Sequence, residues 1–406
     1  MRFINFFLFT AVFLFFSCTK KKDNIVEPEE NTIIIELEQA FREKSNKVIL
    51  TSSFADEITY IPLETNGNCL IGGGSLEGTF VSENYVLCKT YLFHKNGKAI
   101  RKLGQRGQGP NEYIMLLSDD FDEKRKEYYV LDNYKPYILI YNFDNQFVKK
   151  IKVADAARSI FALGDGKIIL QRDFHVAAHP DYDFFEYMVL DVDTEQVVYT
   201  KKVSFDEMEN PFTDKKNLLA LKKNSFWTYN DTTFYFEAFT DTVFSLTKEG
   251  QIDKPKYVFN LGKHKLNFEE IKKIDPNNWF SHKHDYMTIS DFCESSDYLL
   301  FKVFNKGGSQ GGYYNKRKGE VHFFTSGNTA KMMINDMDGG AQFLFANAKT
   351  KNIGFAFLWA EKAVELLNES MENNSDYDIA LNKKFRENIK DIKDDDNPII
   401  CIYKLK

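Results

Sequence analysis

The 406-residue sequence is poor in the residues that mark familiar chemistry. Its five cysteines include no CxxC pair, which excludes zinc-ribbon and thioredoxin-type sites. Seven histidines do not suggest a histidine-built centre. There is no GxxxxGK[ST] or HExxH, so nothing marks a P-loop or a zincin helix. No basic run exceeds three residues (Lys20–Lys22, Lys124–Lys126, Lys316–Lys318) and the formal net charge is −6, which argues against nucleic acid as a partner. What the sequence does have is aromatic: 38 Phe and 21 Tyr stand against nine Pro, a bias that favours strands. With 43% hydrophobic and 28% charged residues the composition is that of a globular protein.

Residues 1–18 read MRFINFFLFTAVFLFFSC, with Arg2 as a thin basic start and an apolar run from Phe3 to Phe16. That run is shorter than the about 20 residues of a membrane span and suits a secretory core. Its end at Ser17-Cys18 resembles a bacterial lipoprotein signal, which implies a signal peptide over 1–17 and lipid on Cys18. An uncleaved anchor is the competing reading, because Phe15 and Phe16 fit the lipobox loosely. Residues 18–50 are then the lipidated cysteine and a tether, polar and interrupted by Pro28, with Leu37–Asn46 a short helix or more linker. Seven of the 38 Phe lie in the signal, so 31 remain and the aromatic bias belongs to the fold. Of the other cysteines, Cys69 and Cys88 are either a disulfide or two small buried hydrophobes.

From Ile58 onward, short apolar runs alternate with Asn, Asp and Gly turns, the pattern of antiparallel hairpins. Tyr85–Gly104 and Tyr129–Val153 share strand, hairpin and a last strand ending in basic residues. Met188–Val203, Thr240–Phe259 and Lys306–Phe324 repeat the hairpin. Recurrent multi-strand units bury their faces against neighbours, and radial closure leaves the fewest exposed edges. Residues 51–406 would make seven or eight blades at about 40 to 50 residues each.

The blade number follows from a resemblance. LFHKNGKAIRKLGQRGQGPNEY (Leu92–Tyr113) is similar to the NHL-type propeller repeat. With EITYIPLET (Glu57–Thr65) and DDDNPIICIYKLK (Asp394–Lys406) it resembles the six-bladed β-propeller lipoproteins of Bacteroidetes. The resemblance implies an all-β fold, a six-bladed propeller over 51–406, in the outer membrane. Two departures stand out: Asn111 replaces a usual Gly, and the Tyr85–Gly97 hairpin is short, which points to an abbreviated first blade. Ala360, Ala363, Val364 and Leu367, then Leu381, Phe385, Ile389 and Ile392, form helical stripes. They predict a small helical insertion at about 360–393 in the last blade. Ile399–Tyr403 then returns to the sheet, and Ile58–Leu63 joins it to close the ring.

Each chemical candidate has a plainer reading. GQRGQGP (Gly104–Pro110) lacks the helix start a phosphate cradle needs and reads as a blade-to-blade loop. IGGGSLEG (Ile71–Gly78) reads the same way. RDFHVAAHPDYDFF groups Asp173, His175, His179, Asp181 and Asp183, a conceivable divalent-metal site, although Pro180 favours a polar loop. His282 and His284 in SHKHDY (Ser281–Tyr286) could chelate from one side of a strand, although a solvated hairpin is the favoured reading. SDDFDE (Ser118–Glu123) reads as a solvated turn opening the second blade, since no DxDxDG loop is present. Trp227, Trp279 and Trp359 could stack on sugars, and Arg106 and Arg172 could pair with an anionic ligand; core packing is the plainer role of each Trp. Arg106, in the inter-blade loop, is the better exposed of the two arginines.

These residues predict a non-enzymatic, ligand-binding or protein-interaction scaffold, monomeric, recognising a glycan, a peptide or an envelope protein. The alternative is a periplasmic hydrolase or lyase with a metal or carboxylate site in the channel. No cofactor is expected beyond that conceivable metal. Lys20–Lys22 directly after Cys18 favour a periplasm-facing anchor.

Overall fold

The computed structural model describes residues 31–43, 49–72, 78–132, 134–153, 157–172, 185–202, 225–236, 240–265, 286–305, 308–325, 333–340, 346–369, 383 and 385–406. The signal, Cys18 and most of the expected tether lie outside them. Six antiparallel sheets follow one another as the blades of a propeller. Blade 1 spans Phe80–Lys102, blade 2 Leu116–Lys152, blade 3 Ala157–Lys202, blade 4 Ser225–Phe259 and blade 5 Thr288–Thr325. Blade 6 combines Ala346–Asn347, Ile353–Leu358 and Ile399–Leu405 with Ala55–Pro62 from the other end of the chain. Within a blade the chain moves outward strand by strand, and the first strands of neighbouring blades approach one another around the channel.

Closure follows the expected route. Ile399–Leu405 pairs antiparallel with Ala55–Pro62, setting Ile400 opposite Ile61 and Ile402 opposite Thr59. Ile400 has no exposed surface, so the joint between the chain ends is part of the core. Helix Ala360–Glu369 and the helical residues 385–389 sit between the second and third strands of blade 6. Their buried positions, Ala360, Ala363, Phe385 and Ile389, come from the predicted stripes, and Phe385 packs on Tyr60 at 5.2 Å. Leu381 lies outside the described residues.

The expected tether extends too far along the chain, because residues 33–50 belong in part to the folded body. Ile33–Ile35 pairs in parallel with Tyr257–Phe259 as a fifth strand of blade 4. Helix Leu37–Arg42 then lies on the outer strand of blade 5, with Phe41 edge-on to Phe323 at 6.3 Å. Ile35 and Leu37 are fully buried. The chain next pairs Ile49–Leu50 with Met333–Ile334 and enters the outer edge of blade 6. Residues 33–42 thus form a belt on the perimeter of blades 4 and 5, and its apolar residues, few and short in period, looked like linker in sequence.

Blade 1 is abbreviated, with strands of two, four, four and four residues against seven, six, six and six in blade 2. Its last turn closes on blade 6 at Gly97 (φ +85°), where a Cβ would lie 2.2 Å from the Pro62 carbonyl oxygen. Only glycine fits there. The aromatics fill the seams between blades: Phe121, Tyr128 and Tyr141 between blades 1 and 2, and Trp227, Phe236, Phe259 and Phe301 between blades 4 and 5. Each such ring buried stabilises the seam by about 2 to 3 kcal/mol. Cys69 and Cys88 share one cluster as free, buried thiols, which resolves the earlier alternative against a disulfide.

Candidate functional site: the channel and the loop-bearing end

SDDFDE is not a solvated turn. It is the first strand of blade 2 (Leu116–Asp122), and Asp119, Asp120 and Asp122 are all buried. Its neighbour, the first strand of blade 3, runs Ala157–Gly164. Ser118 Oγ accepts a hydrogen bond from the Ile160 N–H at 3.1 Å, and Asp120 accepts one from the Ala162 N–H at 2.7 Å. Alternate side chains point the same way from a strand, so residues two apart can continue a ladder into the next blade where backbone alone does not reach. The seam between blades 5 and 6 uses the same device. Asn347 accepts from the Glu294 N–H at 2.8 Å and donates to its carbonyl at 3.2 Å.

Lys349, just past the first strand of blade 6, forms an ion pair with Asp120 in blade 2. It also donates to the Phe121 carbonyl at 3.1 Å, and the rings of Phe80, Phe121 and Phe161 lie 5.2, 5.2 and 5.6 Å from its ammonium. One side chain therefore joins blade 6 to blades 1, 2 and 3. Burial raises the Asp120 carboxyl above the usual carboxylate range, while Lys349 and the backbone N–H groups oppose that rise.

Asp119 points to the opposite side, into the seam with blade 1, where it accepts from Tyr128 Oη at 2.8 Å. Burial pushes its carboxyl up to about 7, against the lowering effect of that hydrogen bond. Another buried acid, Glu294, accepts from Trp227 Nε1 (2.9 Å), Tyr257 Oη (2.6 Å) and Lys316 Nζ (2.7 Å). Desolvation lowers the Lys316 ammonium and Glu294 counters it. Asp120 and Glu294 are thus engaged in joining blades, and Asp119 is bonded within blade 2. Among the described residues no group of three or more His, Cys, Asp or Glu is placed to hold a metal ion.

The two ends of the ring differ. At one end, blades turn through short connections such as 82–84, 123–126, 165–166 and 230–231. At the other end lie the strand ends that flank the long stretches of sequence between blade strands, 103–115, 173–184, 203–224, 260–287, 326–345 and 359–398. Arg106 is exposed there as expected, its Nε donating to the Ile114 carbonyl at 3.2 Å. Arg172 ends the second strand of blade 3 at the same end. Trp227 cannot serve as a sugar platform: it is 4% exposed, stacked on Phe292 at 4.4 Å and tied to Glu294. Trp359 is half-buried, with Lys89 Nζ 5.6 Å from its ring. Asp173, His175, His179, Asp181, Asp183, Trp279, His282 and His284 lie outside the described residues.

Sequence reasoning missed a further feature of this end. Asp132, buried at the end of its strand, accepts from the N–H groups of Ile114 (3.0 Å), Met115 (3.1 Å) and Tyr134 (3.0 Å). It holds the inter-blade loop against the turn of blade 2, so that Met115 (43%) and Tyr134 (71%) stand exposed on a fixed backbone. The signal was available, an Asp directly before the turn NYKP, where Asx side chains bind nearby backbone.

A family model described as Domain of unknown function (DUF4934) matches residues 32–404. No curated protein matches the chain. Among solved structures, the chain is similar to a Bacteroides fragilis protein described as exported, at 16% identity and a TM-score of 0.66, covering 93% of this chain and 99% of that one. At that identity the likeness shows the fold alone. A member of the DUF4221 family from Bacteroides vulgatus aligns at 12% identity and a TM-score of 0.44, covering 72% of this chain and 92% of that one.

Proposed function

The chain belongs to that family, and we propose that it is a lipid-anchored binding scaffold of the cell envelope, engaging a glycan, a peptide or a partner protein through the loop-bearing end of the propeller. The observation that carries this reading is the asymmetry of the ring: Asp120 and Glu294 in the interior join blades, whereas an exposed tyrosine, methionine and arginine are held on ordered backbone at the end with the long connections. Rigid scaffolds that present variable loops are a common design for binding sites. Residues 1–18 support the envelope address, as does the exported description of the B. fragilis protein. The test is a glycan and peptide array probed with purified protein and with Tyr134→Ala. A ligand retained by the parent and weakened by the variant supports the reading. Binding unaffected by every substitution at this end, or no ligand at all, overturns it.

A further inference from the structure

Blades 1, 2 and 3 repeat one constellation at the loop-bearing end. The first residue of the third strand is aromatic, Tyr91, Tyr137 and Phe185 in turn. The last residue of the outer strand, paired across from it, is Lys102, Lys152 and Lys202. Blades 4, 5 and 6 place no lysine in that register: Thr242 faces Val258, Gln310 faces Thr325 and Ile399 faces Pro62.

The lysines at this end are largely without counter-charge. Farther along the same strands, Arg101 pairs with Asp144 at 3.5 Å and Lys149 with Glu195 at 3.3 Å. No ion-pair partner stands beside Lys102, Lys135, Lys150, Lys152 or Lys202 among the described residues. Lys102 and Lys150 lie over Tyr91 and Tyr137 at 5.5 and 5.4 Å, which fixes ammonium groups on aromatic faces. The outer strands of these three blades hold no Asp or Glu, in a chain of net charge −6. Exposed Tyr134 stands beside this row in the blade 2 turn, next to Lys135.

We infer that the loop-bearing ends of blades 1–3 bind an acidic polysaccharide, its carboxylates or sulfates on the successive lysines and its sugar rings against Tyr91, Tyr134 and Tyr137, while Phe185, 3% exposed, only backs Lys202 in the same register. This rests on the binding-scaffold reading and names its ligand class. A constellation repeated once per blade fits a repetitive, extended ligand better than a compact one. Edge strands also carry lysine to prevent strand-to-strand aggregation. That role accounts for charge on the uncovered edges of blades 1–3, but not for a lysine placed opposite an aromatic in the same register three times.

The experiment measures binding of purified protein to polygalacturonate, dextran sulfate and neutral dextran by biolayer interferometry across salt concentrations. Expected are binding to one or both polyanions and none to dextran, with affinity falling steeply as salt rises. Lys102→Gln/Lys152→Gln/Lys202→Gln should weaken binding about ten-fold or more, with an unchanged melting curve. Lys318→Gln, in a turn at the opposite end, should leave it unchanged. The inference is overturned if neither polyanion binds, if the triple variant binds like the parent, or if duplex DNA or anionic phosphatidylglycerol vesicles bind as tightly. A neutral ligand found on the array, with no polyanion binding, would remove this inference and leave the scaffold standing. A polyanion bound through these lysines but unaffected by Tyr134→Ala and by substitution of the surrounding loops would move the site to the outer strands, overturning both as stated.

Discussion

Replacing Asp119 by Asn should change how stability depends on pH, and the structure sets both the sign and the size. Asp119 is 5% exposed in the seam between blades 1 and 2, and burial lifts its carboxyl from 3.8 to about 7. Between those values the folded protein keeps a proton that the unfolded chain has released. The stability this contributes is fully present below pH 3.8 and is lost as pH rises towards 7. At about 1.4 kcal/mol per pH unit, the loss approaches about 4 kcal/mol. Asparagine keeps an oxygen to accept from Tyr128 Oη. It adds an N–H₂ that costs about 1 to 3 kcal/mol if it finds no acceptor. The variant should therefore match or trail the parent at pH 4 and overtake it by about 1 to 3 kcal/mol at pH 8. Urea midpoints measured from pH 4 to 9 read this directly. Parallel curves for the two proteins would refute the assignment of a buried, proton-holding carboxyl. Tyr128→Phe gives an internal control: its hydroxyl lowers the Asp119 value, so its loss should carry the same transition to higher pH.

Three other outcomes follow from the same contacts. Ile400→Asp places a charge at a fully buried position of the closing strand and should lower the melting temperature sharply, by about 4 kcal/mol or more in stability; a near-unchanged melting curve would count against closure through blade 6. Lys349→Ala strands Asp120 without its counter-charge and should cost about 3 to 5 kcal/mol near neutral pH, with recovery in the double variant Lys349→Met/Asp120→Asn; equal losses in both would show that the pair is not what joins the blades. Cys18→Ser should move the protein from the membrane fraction to the soluble one if the lipid anchor is real; unchanged fractionation would leave the uncleaved helix as the better reading of residues 1–17.

The outer parts of the propeller were readable because their short, β-branched and aromatic runs are bounded by turns marked by Asn, Asp and Gly. Tyr85–Gly104 and Tyr129–Val153, noticed as repeats, span the outer three strands of blades 1 and 2, and Thr240–Phe259 is the outer hairpin of blade 4. The inner strands lack that signature, and they went unread for a physical reason. A strand beside the channel has no fifth strand on its inner edge, so its polar side chains supply hydrogen bonds to the next blade. Ser118 and Asp120 do so for blade 3 and Asn347 for blade 5. Written as a sequence, such a strand looks like a solvated acidic turn, because nothing local reveals that Lys349, 229 residues beyond Asp120, neutralises the charge. Trp227 misleads from the other direction, since an indole that donates to a buried glutamate is indistinguishable in sequence from one displayed to a sugar. The binding surface is the intermediate case. The basic ends of the outer strands were visible as part of the repeat, but their meaning depends on register. Only the pairing of Tyr91 with Lys102, Tyr137 with Lys152 and Phe185 with Lys202 turns three charged strand ends into one repeated site. Blades 4 and 5, whose outer edges the belt of residues 33–42 covers, have no use for such charges and do not carry them in that register.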